Sequence, residues 1–161
     1  MDNCASLWRW VGNLPKCLMH SEDPRKDLGA FESKFEQILE KAGDAAADFR
    51  GFVFPRAAYK GRRFAARCSF KHATFLGGAD FSGSVFAQDV DFRQARFVDG
   101  CANFYKAQFS QQANFAEAIF GDGANGAVAD FWESCVCPRG VRQIGKFSQT
   151  ARSLFGDNLQ R

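Results

Sequence analysis

Histidine is nearly missing from this chain of 161 residues, with two in all, and Tyr, Met and Trp number two, two and three. The two that exist, His20 and His72, lie far apart, and neither sits among residues that would make a nucleophile, a general base or a metal site. Long apolar runs are missing too. No stretch reaches the roughly 18 uninterrupted apolar residues of a membrane span. The first 18 residues lack the pattern of a secretory signal, because Asp2, Arg9, Asn13, Pro15 and Lys16 interrupt them. The chain therefore reads as cytoplasmic, and Cys4, Cys17, Cys68, Cys101, Cys135 and Cys137 are expected to stay reduced. Cys135 and Cys137 form a C-x-C without the second pair that a structural zinc site needs. Gly77-Gly78 has no following Lys-Ser/Thr to make a phosphate loop, and Asp80 and Asp91 are spaced for opposite sides of one coil rather than for a shared proton. Catalysis, a metal and a cofactor are thus all unexpected.

What the chain has in excess is phenylalanine, 19 residues of it. From Phe64 onward Phe recurs at 70, 75, 81, 86, 92, 97, 104, 109, 115, 120 and 131, in steps of 6 and 5 that alternate almost without fault. The underlying unit is eleven residues, as in Ala73 to Gly83 and Ser84 to Gln94. Tyr59, Phe54 and Phe49 extend the beat upstream. Two residues before most of these rings stands a small side chain, among them Ala73, Ala79, Ser84, Val90, Ala95, Ala102, Ala107, Ala113 and Ala118. Positions two apart face the same way in extended backbone, so ring and small residue point inward together. A step of 5 or 6 kept over so long a stretch does not hold one face of a helix. The spacing predicts a solenoid of short strands with Phe inside.

Because the steps alternate, a coil must have an even number of sides for like to stack on like. Two sides would leave no room for facing rings, so four sides and about 22 residues per coil follow. The predicted columns are Phe64, Phe86, Phe109 and Phe131; Phe70, Phe92 and Phe115; Phe75, Phe97 and Phe120; and Tyr59, Phe81 and Phe104. One surplus residue between Phe97 and Phe104 should bulge near Gly100-Cys101. Residues 49–131 then make just under four coils, about 20 Å tall at the usual strand spacing.

Segments such as Ala79-Asp80-Phe81-Ser82-Gly83, Ala102-Asn103-Phe104-Tyr105-Lys106 and Ala113-Asn114-Phe115-Ala116-Glu117 resemble the pentapeptide-repeat proteins, whose unit is Ala-(Asp/Asn)-(Leu/Phe)-x-x. The chain departs from that unit in its six-residue steps, in its nearly exclusive use of Phe, and at Arg62 and Gly126. The resemblance implies a mainly β fold, a right-handed quadrilateral β-helix of about four coils, and a bacterial origin. It also implies a rigid protein-binding module or scaffold, or, as in some members, a DNA mimic that binds a topoisomerase such as gyrase.

The flanks suit capping, which a solenoid needs at both open ends. Residues 1–48 form an N-terminal segment in which Phe31, Phe35, Ile38, Leu39, Ala42 and Ala46 fall at helical spacing, with an end near Gly43. In residues 132–161, Val141, Ile144, Phe147, Ala151, Leu154 and Phe155 suggest a second helix, for capping or dimerisation. Leu7, Trp8, Trp10, Val11 and Leu14 read as a short helix that stops before Pro15 and either packs on the cap or lies at a membrane edge, the latter suiting an adaptor or bacterial effector. Charge is uneven. Arg50, Arg56, Lys60, Arg62, Arg63, Arg67 and Lys71 fall in the first coil with no acid between Phe49 and His72, and are the candidate partner-binding residues. From Ala73 to Phe131 seven acids face three bases, yet the whole chain is +3, which weighs against a DNA mimic and leaves an unidentified protein, rather than nucleic acid, as the favoured partner.

Overall fold

The computed structural model describes residues 8–11, 14–23, 25–98, 102–120, 130–131 and 135–136. Strands are numbered in chain order. On the first face β3 (Ala46–Asp48), β7 (Arg67–Ser69), β11 (Val90–Asp91), β15 (Ala113–Asn114) and β18 (Cys135–Val136) stack in parallel. The second face holds β4 (Val53–Phe54), β8 (Thr74–Phe75), β12 (Arg96–Phe97) and β16 (Ile119–Phe120). The third holds β5 (Ala57–Ala58), β9 (Ala79–Asp80) and β13 (Ala102–Asn103), and the fourth β6 (Arg63–Phe64), β10 (Val85–Phe86), β14 (Gln108–Phe109) and β17 (Asp130–Phe131). This is a four-sided β-solenoid of about three turns, with two strands of a further turn.

The register is the one the Phe spacing predicts. Phe64 pairs with Phe86, Phe86 with Phe109 and Phe109 with Phe131; Phe75 pairs with Phe97 and Phe97 with Phe120. Rings stack along each column at the strand repeat: Phe64 on Phe86 at 4.7 Å and 4°, Phe70 on Phe92 at 4.8 Å and 7°, Phe97 on Phe120 at 4.8 Å and 5°. Within a coil the same rings meet edge to face, as Phe86 and Phe92 do at 6.0 Å and 83°. Rings inside the solenoid such as Phe70, Phe86 and Phe92 thus have stacked and edge-on neighbours at once. The small residues two positions earlier are buried beside them, Ala73, Ala95, Ala102 and Ala107 completely. The surplus residue shows in the pairing, which steps by 22 from Val90 back to Cys68 and by 23 on to Ala113. The bulge expected at Gly100-Cys101 lies outside the described residues.

The alternation of 5 and 6 has a cause at the corners. In the five-residue step the carbonyl of the ring residue accepts the N–H three residues on, as Phe70 does from Ala73, Phe81 from Ser84 and Phe92 from Ala95, all at 3.0 Å. The residue before that donor has positive φ: Gly51, His72, Gln94 and Glu117 at one corner, Gly61, Gly83 and Lys106 at the other. That is the pattern of a type II turn. The Asp or Asn ahead of the ring serves the same turn. Oδ1 of Asp80, Asp91, Asn103 and Asn114 accepts the N–H of the residue two further on, at 2.9–3.0 Å. Six-residue steps turn the remaining corners without this device. At one of them Gly77 passes so close to the Pro55 carbonyl that a Cβ would stand 2.4 Å from its oxygen.

Helix α1 (Leu28–Ala42) closes the N-terminal end. Asp27 caps it by accepting the Ala30 N–H at 2.9 Å, and Gly43 ends it at φ 59°. Its buried Phe35 stacks on Tyr59 (4.9 Å, 22°) and Phe31 meets Phe54 edge-on at 5.3 Å. The chain just before the helix covers the exposed edge of the second face, where the Val53 N–H donates to the Met19 carbonyl at 2.7 Å. Two expectations need correction. Residues 8–17 are not helical but an antiparallel pair, β1 (Trp8–Val11) with β2 (Leu14–Cys17), in keeping with an aromatic and β-branched run followed by Gly12-Asn13. Cys17, expected to stay reduced, is disulfide-bonded; composition and compartment do not say which thiols the fold brings within bonding distance. The helix expected from Val141 to Phe155 lies outside the described residues.

A ring with neighbours above, below and on both sides is costly to remove. Phe92→Ala should lower stability by about 3–5 kcal/mol in urea unfolding, and a cost under about 1 kcal/mol would contradict the stack.

Candidate functional site

The seven cations of the first coil do not act alike. Arg50 is tied two residues back to Asp48, with Nη2 to Oδ2 at 2.6 Å. Arg67 faces Asp89 of the next coil at 3.6 Å. At Asp91 burial pushes the carboxyl up, but hydrogen bonds and charge from Arg93, and last the charge of the half-buried Lys71, hold it below its usual range. Arg56, Lys60 and Arg63 are exposed and make no ion pair among the described residues. These three remain available to a partner.

Arg62 is structural. Its backbone occupies the inward position that Ser84 and Ala107 fill in later coils, but at the end of the solenoid that position looks onto the cap helix. The guanidinium grips Glu36 through both oxygens, one of them at 2.6 Å, and lies 5.3–5.5 Å from the ring centres of Phe35, Tyr59 and Phe64. Hydrogen bonding from Arg62 holds the Glu36 carboxyl below its ordinary range, whereas burial, then the charge of Glu36, pushes Glu32 up. Tyr59 stands where the column otherwise has Phe. Its hydroxyl is buried and makes no hydrogen bond of ordinary geometry, although the Glu32 carboxylate lies near enough to interact with it; burial first, then the Glu32 charge, raises its proton affinity well above the ordinary tyrosine value.

One residue of this junction escaped the sequence reading. Lys26 is 5% exposed, and its ammonium donates to the carbonyls of Ser21 (2.9 Å), Leu18 (3.3 Å) and Val53 while sitting 4.6 Å from the Phe31 ring centre. Burial pushes its pKa down to about 8. A lone Lys ahead of a helix carries no pattern that would announce this. Its partners are main-chain atoms brought together by the fold.

The remaining candidates are chemically quiet. Cys68 fills an inward small-residue position between Ala47 and Val90, and burial pushes its thiol up to about 12. His72 is an exposed corner residue in the left-handed region. No group of three His, Cys, Asp or Glu among the described residues is placed to hold a metal ion. No helix among them is long and apolar enough to cross a membrane.

Residues 60–101 match the family model for pentapeptide repeats (9 copies). No curated protein and no solved structure matches the chain.

Two measurements check the cap junction. Tyr59→Phe removes a buried hydroxyl that makes no hydrogen bond of ordinary geometry and should raise stability by about 1 kcal/mol; a loss of that size would mean that its approach to Glu32 is a formed hydrogen bond. The Glu36 contribution is full above its unfolded value near pH ~4.3 and is lost as the pH falls through its lower folded value. Glu32, with its raised folded value, acts oppositely and favours the folded state as pH drops. Thermal melts below about pH 4 should therefore fall more steeply for the native protein than for Glu36→Gln, and equal slopes would contradict the assignment.

Proposed function

We propose that this pentapeptide-repeat protein is a non-catalytic, rigid protein-binding module whose partner meets the outer faces of the solenoid. One observation carries the reading: the interior is filled by stacked rings, so the side chains that would otherwise line a ligand pocket are spent on the core. Short strands held by three turns of hydrogen bonds give flat faces that need little ordering to bind, which favours association. A DNA mimic needs a run of unpaired carboxylates. Here Asp48, Asp89 and Asp91 each face an arginine, so that alternative has less support.

A photo-crosslinking amino acid placed in turn at Ser69, Thr74, Ala58 and Ala87, one outward position per face, should yield a discrete protein adduct from one face or two adjoining faces in the source cell. Absence of an adduct from all four would overturn the module. Inhibition of gyrase supercoiling at near-stoichiometric protein would overturn it in favour of the mimic.

A further inference from the structure

The four faces differ in what their charges are left to do. On the first face Arg50, Arg67 and Arg93 each lie against an aspartate. On the third, Asp80 accepts from the Ser82 N–H and from Asn103 Nδ2. The second, also without a carboxylate at its described outward positions, carries one cation, Arg96, among the apolar Leu76, Val98 and Ile119, and the exposed Arg56 stands at the corner that follows it. The fourth is different. Its outward positions over three coils are Arg63 and Ala65, Val85 and Ala87, Gln108 and Ser110, without a carboxylate; only in the next strand does Asp130 take the place beneath Gln108.

Two more cations stand on the corner that leads into this face. Lys60 precedes Gly61, and Lys106 occupies the same corner two coils on, since Gly61 donates to Ser82 and Gly83 to Tyr105. Both are exposed, and neither they nor Arg63 have a carboxylate partner among the described residues. Lys106 stacks on the exposed Tyr105 ring at 5.2 Å. Two coil spacings place Lys60 and Lys106 about 10 Å apart along the axis.

Resting on the module reading above, we infer that the fourth face, with Lys60, Arg63 and Lys106 at its leading edge, is the docking surface, and that it receives an acidic segment of a partner protein. Charge complementarity selects an acidic partner, since a face with three free cations and no carboxylate over three coils repels a basic one. The extent of the patch selects protein over nucleic acid. A duplex binder makes on the order of six to ten phosphate contacts, whereas three cations spread over about 10 Å of the axis match a few carboxylates on one segment. Short side chains at Ala65, Ala87 and Ser110 let a main chain lie close, and Gln108 can both donate and accept along it.

The test uses the full chain and a short fluorescein-labelled polyglutamate peptide, followed by anisotropy at about 50 mM salt. The native protein should bind it, and the combined variant Lys60→Glu, Arg63→Glu, Lys106→Glu should bind at least about tenfold more weakly with an unchanged melting temperature. Arg96→Glu, a reversal on the second face, should change affinity by less than about twofold. The inference is overturned if the native protein does not bind, if the combined variant binds as well as the native protein, if Arg96→Glu weakens binding equally, or if a DNA duplex of about two turns binds more tightly than the peptide. If a crosslinked cellular partner survives the triple reversal, the face assignment fails while the module stands. If no partner is captured from any face, the module itself fails.

Discussion

Everything in this molecule depends on one coincidence of lengths: stacked aromatic rings repeat comfortably at the distance that separates neighbouring parallel strands. Ring centres in the regular columns lie 4.7–5.2 Å apart and nearly parallel. Hydrogen-bonded strands repeat at about 4.8 Å. A column of Phe and a ladder of main-chain bonds therefore reinforce the same register, and a slip of one residue would turn every ring to solvent. Two-residue strands would be too short to persist alone. They hold because each is clamped by a ring on its inner side and by turns at both ends.

That coincidence also explains what could be read in advance. The Phe columns, their small partners and the four-sided coil follow from spacing alone, because a period shared by side chain and backbone leaves its mark on the sequence. The two kinds of corner are half legible. Alternating steps announce that corners differ, but only the hydrogen bonds reveal that the shorter step is a tight turn held by an Asp or Asn oxygen, as at Asp91 and Asn114. What stayed hidden is contact between parts distant in the chain. Arg62 breaks the repeat pattern, and Tyr59 stands where later coils have Phe; both sit at the end that meets helix α1, where Arg62 pairs with Glu36 twenty-six residues earlier. Lys26 binds main-chain carbonyls and so leaves no complementary residue to find. The antiparallel pair at residues 8–17 stands where a helix is expected because a short aromatic run fits either period.

The same division governs function. On the module reading proposed above, spending the aromatics on the core leaves the outer faces for recognition, and there a charge count and the ion pairing describe different things. Seven cations crowd the first coil, but ion pairs along the chain, between coils and with helix α1 hold Arg50, Arg67 and Arg62 respectively, while Arg56, Lys60 and Arg63 make no ion pair among the described residues. Counting charges finds a basic coil; the strand register and the seat of helix α1 say which of those charges are answered by a neighbour.

The most direct measurement of the ring stack is a pair of double-mutant cycles in urea unfolding. Phe92 and Phe115, stacked at 4.8 Å and 8°, should show a coupling of about 0.5–1.5 kcal/mol. Phe70 and Phe115, which share the column but are separated by the Phe92 ring, should couple by less than about 0.3 kcal/mol. Equal coupling in the two pairs, or none in the first, would mean that the rings do not stack coil on coil.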